Sequence, residues 1–140
     1  MTQERVDQEK DRAWHLAERE RMANEAYLSA LLGPLAIRDG ATFVDVGCGG
    51  GYINGFVAQR YLLKANIGLD LFPDTVALAR DLNRQAGGIH WFCASAEALA
   101  LHGASVDFLA CRGVIPLADV HRVLGEIGYV LRPGAPAVVL

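Results

Sequence analysis

Beyond residue 40 the chain switches repeatedly between short apolar runs and longer amphipathic stretches. The runs Thr42 to Val46, Asn66 to Asp70, Ile89 to Cys93, Val106 to Cys111 and Ala135 to Leu140 read as strands. Between them, helical spacing falls at Tyr52 to Tyr61, Pro73 to Gln85 and Val120 to Val130, with Pro73 suited to a first helical turn. Strands and helices in alternation pair in parallel through right-handed crossovers. The pattern therefore predicts an α/β fold with an open, doubly wound, mostly parallel sheet covered on both faces.

The first forty residues follow a different rule. Ala13, Leu16, Ala17, Ala23, Tyr27 and Leu31 recur at helical spacing, and Gly33-Pro34 supplies a stop. This predicts one long amphipathic helix, frayed at its first turns. Its first 25 residues carry seven acids and five bases, against 16 acids and 13 bases in all 140 residues. Residues 1–40 are thus expected to form an N-terminal helical segment ahead of a core at 41–140.

Composition narrows the function classes. A content of 52% hydrophobic residues is ample for one core, and no apolar run has the length of a membrane span. The first residues are charged rather than patterned as a leader, so a soluble, cytoplasmic protein with no membrane partner is expected. A net charge of -3 without clustered Lys and Arg gives no footprint for nucleic acid. The three cysteines, at 48, 93 and 111, have no metal-ligand spacing and read as reduced thiols packed as small hydrophobes. His15, His90, His102 and His121 read as isolated surface or core-edge residues.

The chemistry is concentrated after the first strand. Val44 to Gly51 read Val-Asp-Val-Gly-Cys-Gly-Gly-Gly, an apolar run with an acid inside it and a loop that lets backbone approach a ligand closely. Nineteen positions past Gly51 a second run delivers Asp70, where a doubly wound sheet places the acid that holds a ribose diol. Together they indicate a nucleoside cofactor. Tyr52 stands where a dinucleotide fingerprint has its third glycine, which argues against a nicotinamide oxidoreductase.

Asp45 followed by Gly47, Gly49 and Gly51 resembles motif I of the class I S-adenosylmethionine-dependent methyltransferases. Three further landmarks lie in the family's order: Gly68-Leu69-Asp70-Leu71-Phe72-Pro73, Ser95-Ala96-Glu97 with serine replacing the usual acid, and Val106-Asp107-Phe108-Leu109 leading on to Tyr129-Val130-Leu131-Arg132-Pro133-Gly134-Ala135. The resemblance implies strand order 3-2-1-4-5 and S-adenosyl-L-methionine as cofactor. It also implies that the amides of Gly47 to Gly51, Cys48 among them, face the methionine part, that Asp45 orients its ammonium and that Asp70 accepts both ribose hydroxyls. Leu71 would touch adenine, Ala96 would offer it backbone, Ser95 would bond its amino group, and Cys111 would open the fourth strand onto the cofactor. Asp107 is expected to be structural. Tyr52 and Trp14 are expected to bring at least one ring to the methionine end, with the N-terminal helix either gating the pocket or merely covering the sheet.

Family members normally continue past the fifth strand with a helix and a hairpin. Here the expectation is either a C-terminally incomplete core or a second copy or partner chain that completes the sheet at the fifth-strand edge. No general base declares itself; Arg112 is expected either to bind a substrate carboxylate or to pair with Asp119 or Glu126. The primary expectation is methyl transfer to a small-molecule acceptor. The alternative is a non-catalytic or partner-dependent subunit that keeps the fold.

Overall fold

The computed structural model describes residues 3–140. Five parallel strands, β1 (Thr42–Val46), β2 (Ala65–Asp70), β3 (Ile89–Cys93), β4 (Phe108–Cys111) and β5 (Ala137–Val139), form one sheet in the order β3-β2-β1-β4-β5. Helices α3 (Tyr52–Ala58), α4 (Pro73–Leu82) and α5 (Val120–Val130) alternate with them. The expected fold class and strand order are both present.

Successive residues of a strand point to opposite faces, and this divides the core in two. Phe43 of β1 and Phe108 and Ala110 of β4 pack with Ile53, Phe56 and Val57 of α3. Val44 and Val46, with Leu109 and Cys111, pack instead with Val123, Ile127 and Val130 of α5. The central strands β1 and β4 are therefore buried on both sides.

The N-terminal segment corrects one expectation. Two helices, α1 (Gln3–Met22) and α2 (Glu25–Leu32), replace the single long one. Asn24 takes an extended conformation and its side chain accepts the Tyr27 amide, capping α2 at 3.1 Å. The apolar period runs through both helices, but the cap breaks the backbone between them. Met22 then enters the core cluster beside Leu28 and Leu32.

Elsewhere the differences are at element ends. α4 stops at Leu82 because the Asn83 side chain donates to the carbonyls of Ala79 and Gly50, tying the helix end to the glycine loop. α3 stops at Ala58, its last turn closed by the Arg60 and Tyr61 amides on the Val57 carbonyl. β4 is shorter than predicted, since Val106 pairs singly with Leu131. Asp107 beside it is structural as expected: it accepts the Thr42 amide at 2.8 Å and pairs with Arg132 at 3.0 Å. Beneath the loop, the Trp91 ring of β3 fills the space over Gly51 and Gly68, where any side chain would collide with it.

Candidate functional site

A cavity of about 570 Å³ opens over the carboxyl ends of β1, β2 and β4. This is where ligands bind in open α/β sheets. Its floor is the loop from Gly47 to Gly50, with Gly47 and Gly49 at φ of 71° and 52°. Those left-handed angles suit glycine. Val114 presses into the space a side chain at Gly47 would need.

The loop's amides are used differently from the expectation. Gly47 and Cys48 both donate to the Leu69 carbonyl, at 2.7 and 2.8 Å, and Gly51 donates to Cys48 at 2.9 Å. Gly49 donates to Asp70 Oδ2 at 3.1 Å. Four of the five amides are thereby committed within the protein, because the loop continues the β1–β2 ladder before turning into α3. What the glycines offer a ligand is the bare surface of the turn.

Asp70 ends β2 with its carboxylate oriented by two amides, Gly49 on one oxygen and Phe72 on the other. Leu71 and Phe72 beside it are exposed large apolar residues at the cavity wall. Opposite, Ser95 accepts the Glu97 amide in a tight turn, so its hydroxyl is engaged in shaping the wall on which Ala94 and Ala96 lie. Thr75, in the first turn of α4, also reaches the wall, and its buried hydroxyl has no protein partner. Nothing in the sequence singled it out.

Of the other predicted positions, Cys48 lies on the wall, whereas Asp45, Gly51 and Cys111 lie behind it. Asp45 is 2% exposed in the middle strand. Burial, reinforced by the nearby Asp70 carboxylate and opposed by Arg112, holds its carboxyl well above the usual range. Burial also raises Cys48, with Asp45 and Asp70 adding to it, and raises Cys111 to about 11 with Asp45 adding. Each of these groups resists gaining negative charge. Cys93, by contrast, is exposed, so the expectation of three packed thiols holds for Cys48 and Cys111 alone.

Helix α1 forms the roof. Trp14, His15 and Glu18 line the cavity, and the His15 ring faces Gly49. Arg19 donates to the Leu82 carbonyl at 2.9 Å and Gln8 to Asp74 at 3.2 Å, holding the helix on α4. Tyr52 and Trp14 both line the cavity wall. His15 is not isolated: its Nε2 lies 3.5 Å from Asp11, one turn earlier. The signal was legible, since Asp11, His15, Glu18 and Met22 repeat at spacings of four, three and four, which puts them on one helix face.

Arg112 follows β4 and is ion-paired, but to neither Asp119 nor Glu126. Its Nη1 donates to Glu18 of α1 at 3.0 Å and to the Tyr52 hydroxyl at 2.9 Å. Asp119 instead caps α5 by accepting the amides of His121 and Arg122, and Glu126 accepts the Leu99 amide. Burial pushes Tyr52 up to about 12, with Arg112 opposing and Asp45 and Glu18 adding. Its phenol stays protonated.

Fold and cavity together describe a Rossmann-like α/β domain with a ligand-sized cavity over the carboxyl ends of its strands. Residues 44–139 match the family model described as a methyltransferase domain, and the chain belongs to that family, the class I S-adenosylmethionine-dependent methyltransferases. It is similar to a malonyl-[acyl-carrier protein] O-methyltransferase of a Marinomonas species, 30% identical over 79% of this chain and 42% of that protein. A ubiquinone biosynthesis O-methyltransferase of Parvibaculum lavamentivorans is 34% identical over 66% of this chain and 36% of its own length. Among solved structures, one from the complex between the Haloferax volcanii Trm112 methyltransferase activator and a methyltransferase superposes with a TM-score of 0.77 at 25% identity, over 91% of this chain and 57% of that one. The chain spans well under half the length of the two curated relatives. No described helix is long and apolar enough to cross a membrane.

Proposed function

We propose that this chain binds S-adenosyl-L-methionine in the cavity beneath α1 and serves methyl transfer to a small-molecule acceptor. One observation carries the reading: Asp70, Asp11 and Glu18 line the cavity around the loop, with Asp45 buried behind it, and the Asp70 carboxylate adds to the burial that disfavours charge on Asp45. A cationic ligand relieves that repulsion. The cofactor brings two positive groups, an ammonium and the sulfonium whose methyl it supplies.

The chain's groups fit it in three further ways. Asp70 is held by amides at the end of β2 with lone pairs to spare for a diol. The side-chain-free loop lets the methionine part lie close to β1. Leu71 on one side and the Ala94 to Ala96 turn on the other suit a flat base between them, with the unpartnered Thr75 hydroxyl near Leu71 and Phe72. Asp45 would act through charge from behind the loop, and Cys111 would close the floor. Residues 1–40 act in this reading as a cover on the core at 41–140, with α1 excluding water from the methionine end. Positioning and exclusion of water supply most of what such a transfer needs.

The test is calorimetry with S-adenosylmethionine, S-adenosylhomocysteine and NAD. Binding of the first two and not the third is expected; the reverse preference would refute the reading. A second reading, a non-catalytic or partner-dependent subunit, is favoured by the engagement of Ser95 in its own turn where relatives carry an acid. In that case a second copy or partner chain alongside β5 completes the site, and methyl transfer appears only when it is added.

A further inference from the structure

The Arg112 cluster holds a negatively charged group of the protein's own in a ligand cavity. Arg112 lies at the end of β4, next to the β1 loop and on its far side from Asp70. Among the described residues, it and His15 are the basic side chains on a wall that is otherwise acidic or neutral. Its guanidinium, a third exposed, meets the Glu18 carboxylate and the Tyr52 hydroxyl in that cavity. Glu18 rides on α1, which packs on the core from outside the sheet. Val114, Leu117 and Ala118, just downstream of Arg112, make the adjoining wall apolar.

We propose that Arg112 and Tyr52 form the acceptor's anion subsite, that Glu18 occupies it in this structure, and that the acceptor is a small carboxylic acid with an apolar tail whose carboxylate exchanges with Glu18. The inference rests on the cofactor reading above and names its acceptor class. A guanidinium suits a carboxylate because its planar donors match the two oxygens. A carboxylate is already ionised at neutral pH, so one of its oxygens attacks the sulfonium methyl with no proton to remove. A C–O bond forms, the S–CH3 bond breaks with its electron pair left on sulfur, and the products are a methyl ester and a neutral thioether. That balance needs no general base. Exchange also releases one tie between α1 and the core, coupling acceptor entry to movement of the roof.

The experiment titrates hexanoate and its uncharged counterpart hexanamide onto protein saturated with S-adenosylhomocysteine, for the unsubstituted chain, Glu18→Gln and Arg112→Gln, with circular dichroism to check folding. Hexanoate should bind in preference to hexanamide. Glu18→Gln, which removes the competing charge, should tighten hexanoate about tenfold, and Arg112→Gln should weaken it about tenfold or more. A merely structural ion pair moves neither affinity upward. Equal binding of hexanoate and hexanamide, or weaker hexanoate binding to Glu18→Gln, would overturn the proposal, and neither result depends on Arg112→Gln folding. If Arg112→Gln weakens S-adenosylhomocysteine but not 5′-methylthioadenosine, which lacks the amino-acid part, the subsite serves the cofactor's own carboxylate and the acceptor assignment falls. Failure of the unsubstituted chain to bind S-adenosylhomocysteine at all would strike the cofactor reading instead, and hexanoate on the cofactor-free protein would then report the subsite separately.

Discussion

At the scale of the residue, the two acids of motif I and β2 do different physical work. Asp70 is oriented and solvent-accessible, and hydrogen bonds to a charged group contribute about 1.5 to 3 kcal/mol each. Asp70→Ala should therefore weaken S-adenosylhomocysteine at least about tenfold by calorimetry while the fold is retained. Asp45 is buried beside a like charge, so its carboxyl titrates above the range it has in the unfolded chain. The folded state then holds the proton more tightly than the unfolded state, and stability contributed by the protonated form is full below the ordinary carboxylate range and lost as pH rises through the folded value. Asp45→Asn should accordingly raise the melting temperature of cofactor-free protein at neutral pH, by an amount that shrinks on acidification. The same substitution should weaken the cationic cofactor. A variant equally stable at every pH, or binding as before, would show that Asp45 carries no charge penalty.

At the scale of the element, α1 and α2 are one apolar repeat divided by a cap. Removing an N-cap asparagine costs about 0.5 to 2 kcal/mol. Asn24→Ala should lower the urea midpoint accordingly, with little change in slope. Because Trp14 of α1 lines the cavity, its emission should respond to saturating S-adenosylhomocysteine in a Trp91→Phe background. No response would place the ligand away from the roof. The roof is held mainly by polar contacts to α4 and by Arg112, with Met22 its one residue in the core cluster among those described. Elements tied in this way open at lower cost than core strands.

At the scale of the whole molecule, three elements meet at Trp91. Its ring lies over Gly68 of β2 and Gly51 at the start of α3, so the loop's height above the sheet is set from β3. Gly68→Ala overfills that space and should cost about 1 to 3 kcal/mol in chemical denaturation. Trp91→Phe in the same chain should recover part of the loss, a coupling that independent sites would lack. The glycine at 51 is thus a packing residue of the sheet as much as a member of the loop.

Periodicity and spacing were enough to place the five strands and α3 to α5, because burial on both sides writes continuous apolar runs in the central strands β1 and β4, the half-exposed β3 and β5 still carry short apolar runs, and one-sided burial writes a helical stripe. The glycine pattern after Asp45 and the interval to Asp70 were legible for the same local reason: a tight turn and a strand end depend on neighbours in the chain. Even the Asp11 to His15 pairing was present as a one-turn interval. Other features depended on residues far apart. Glu18 and Arg112 are separated by 94 positions, and the Gly49 amide meets Asp70 across 21. Partners at such distances are chosen by the order of strands and the seating of α1, so Arg112 found Glu18 rather than the acids nearest to it in sequence. The break at Asn24 is different: its cap is a contact between residues three apart, but the apolar period continues through it and masks it. Sequence by itself determined the strands, the helices of the core and the glycine loop; only the packed fold decided which charges share the cavity, because electrostatic contact follows distance in space and not along the chain.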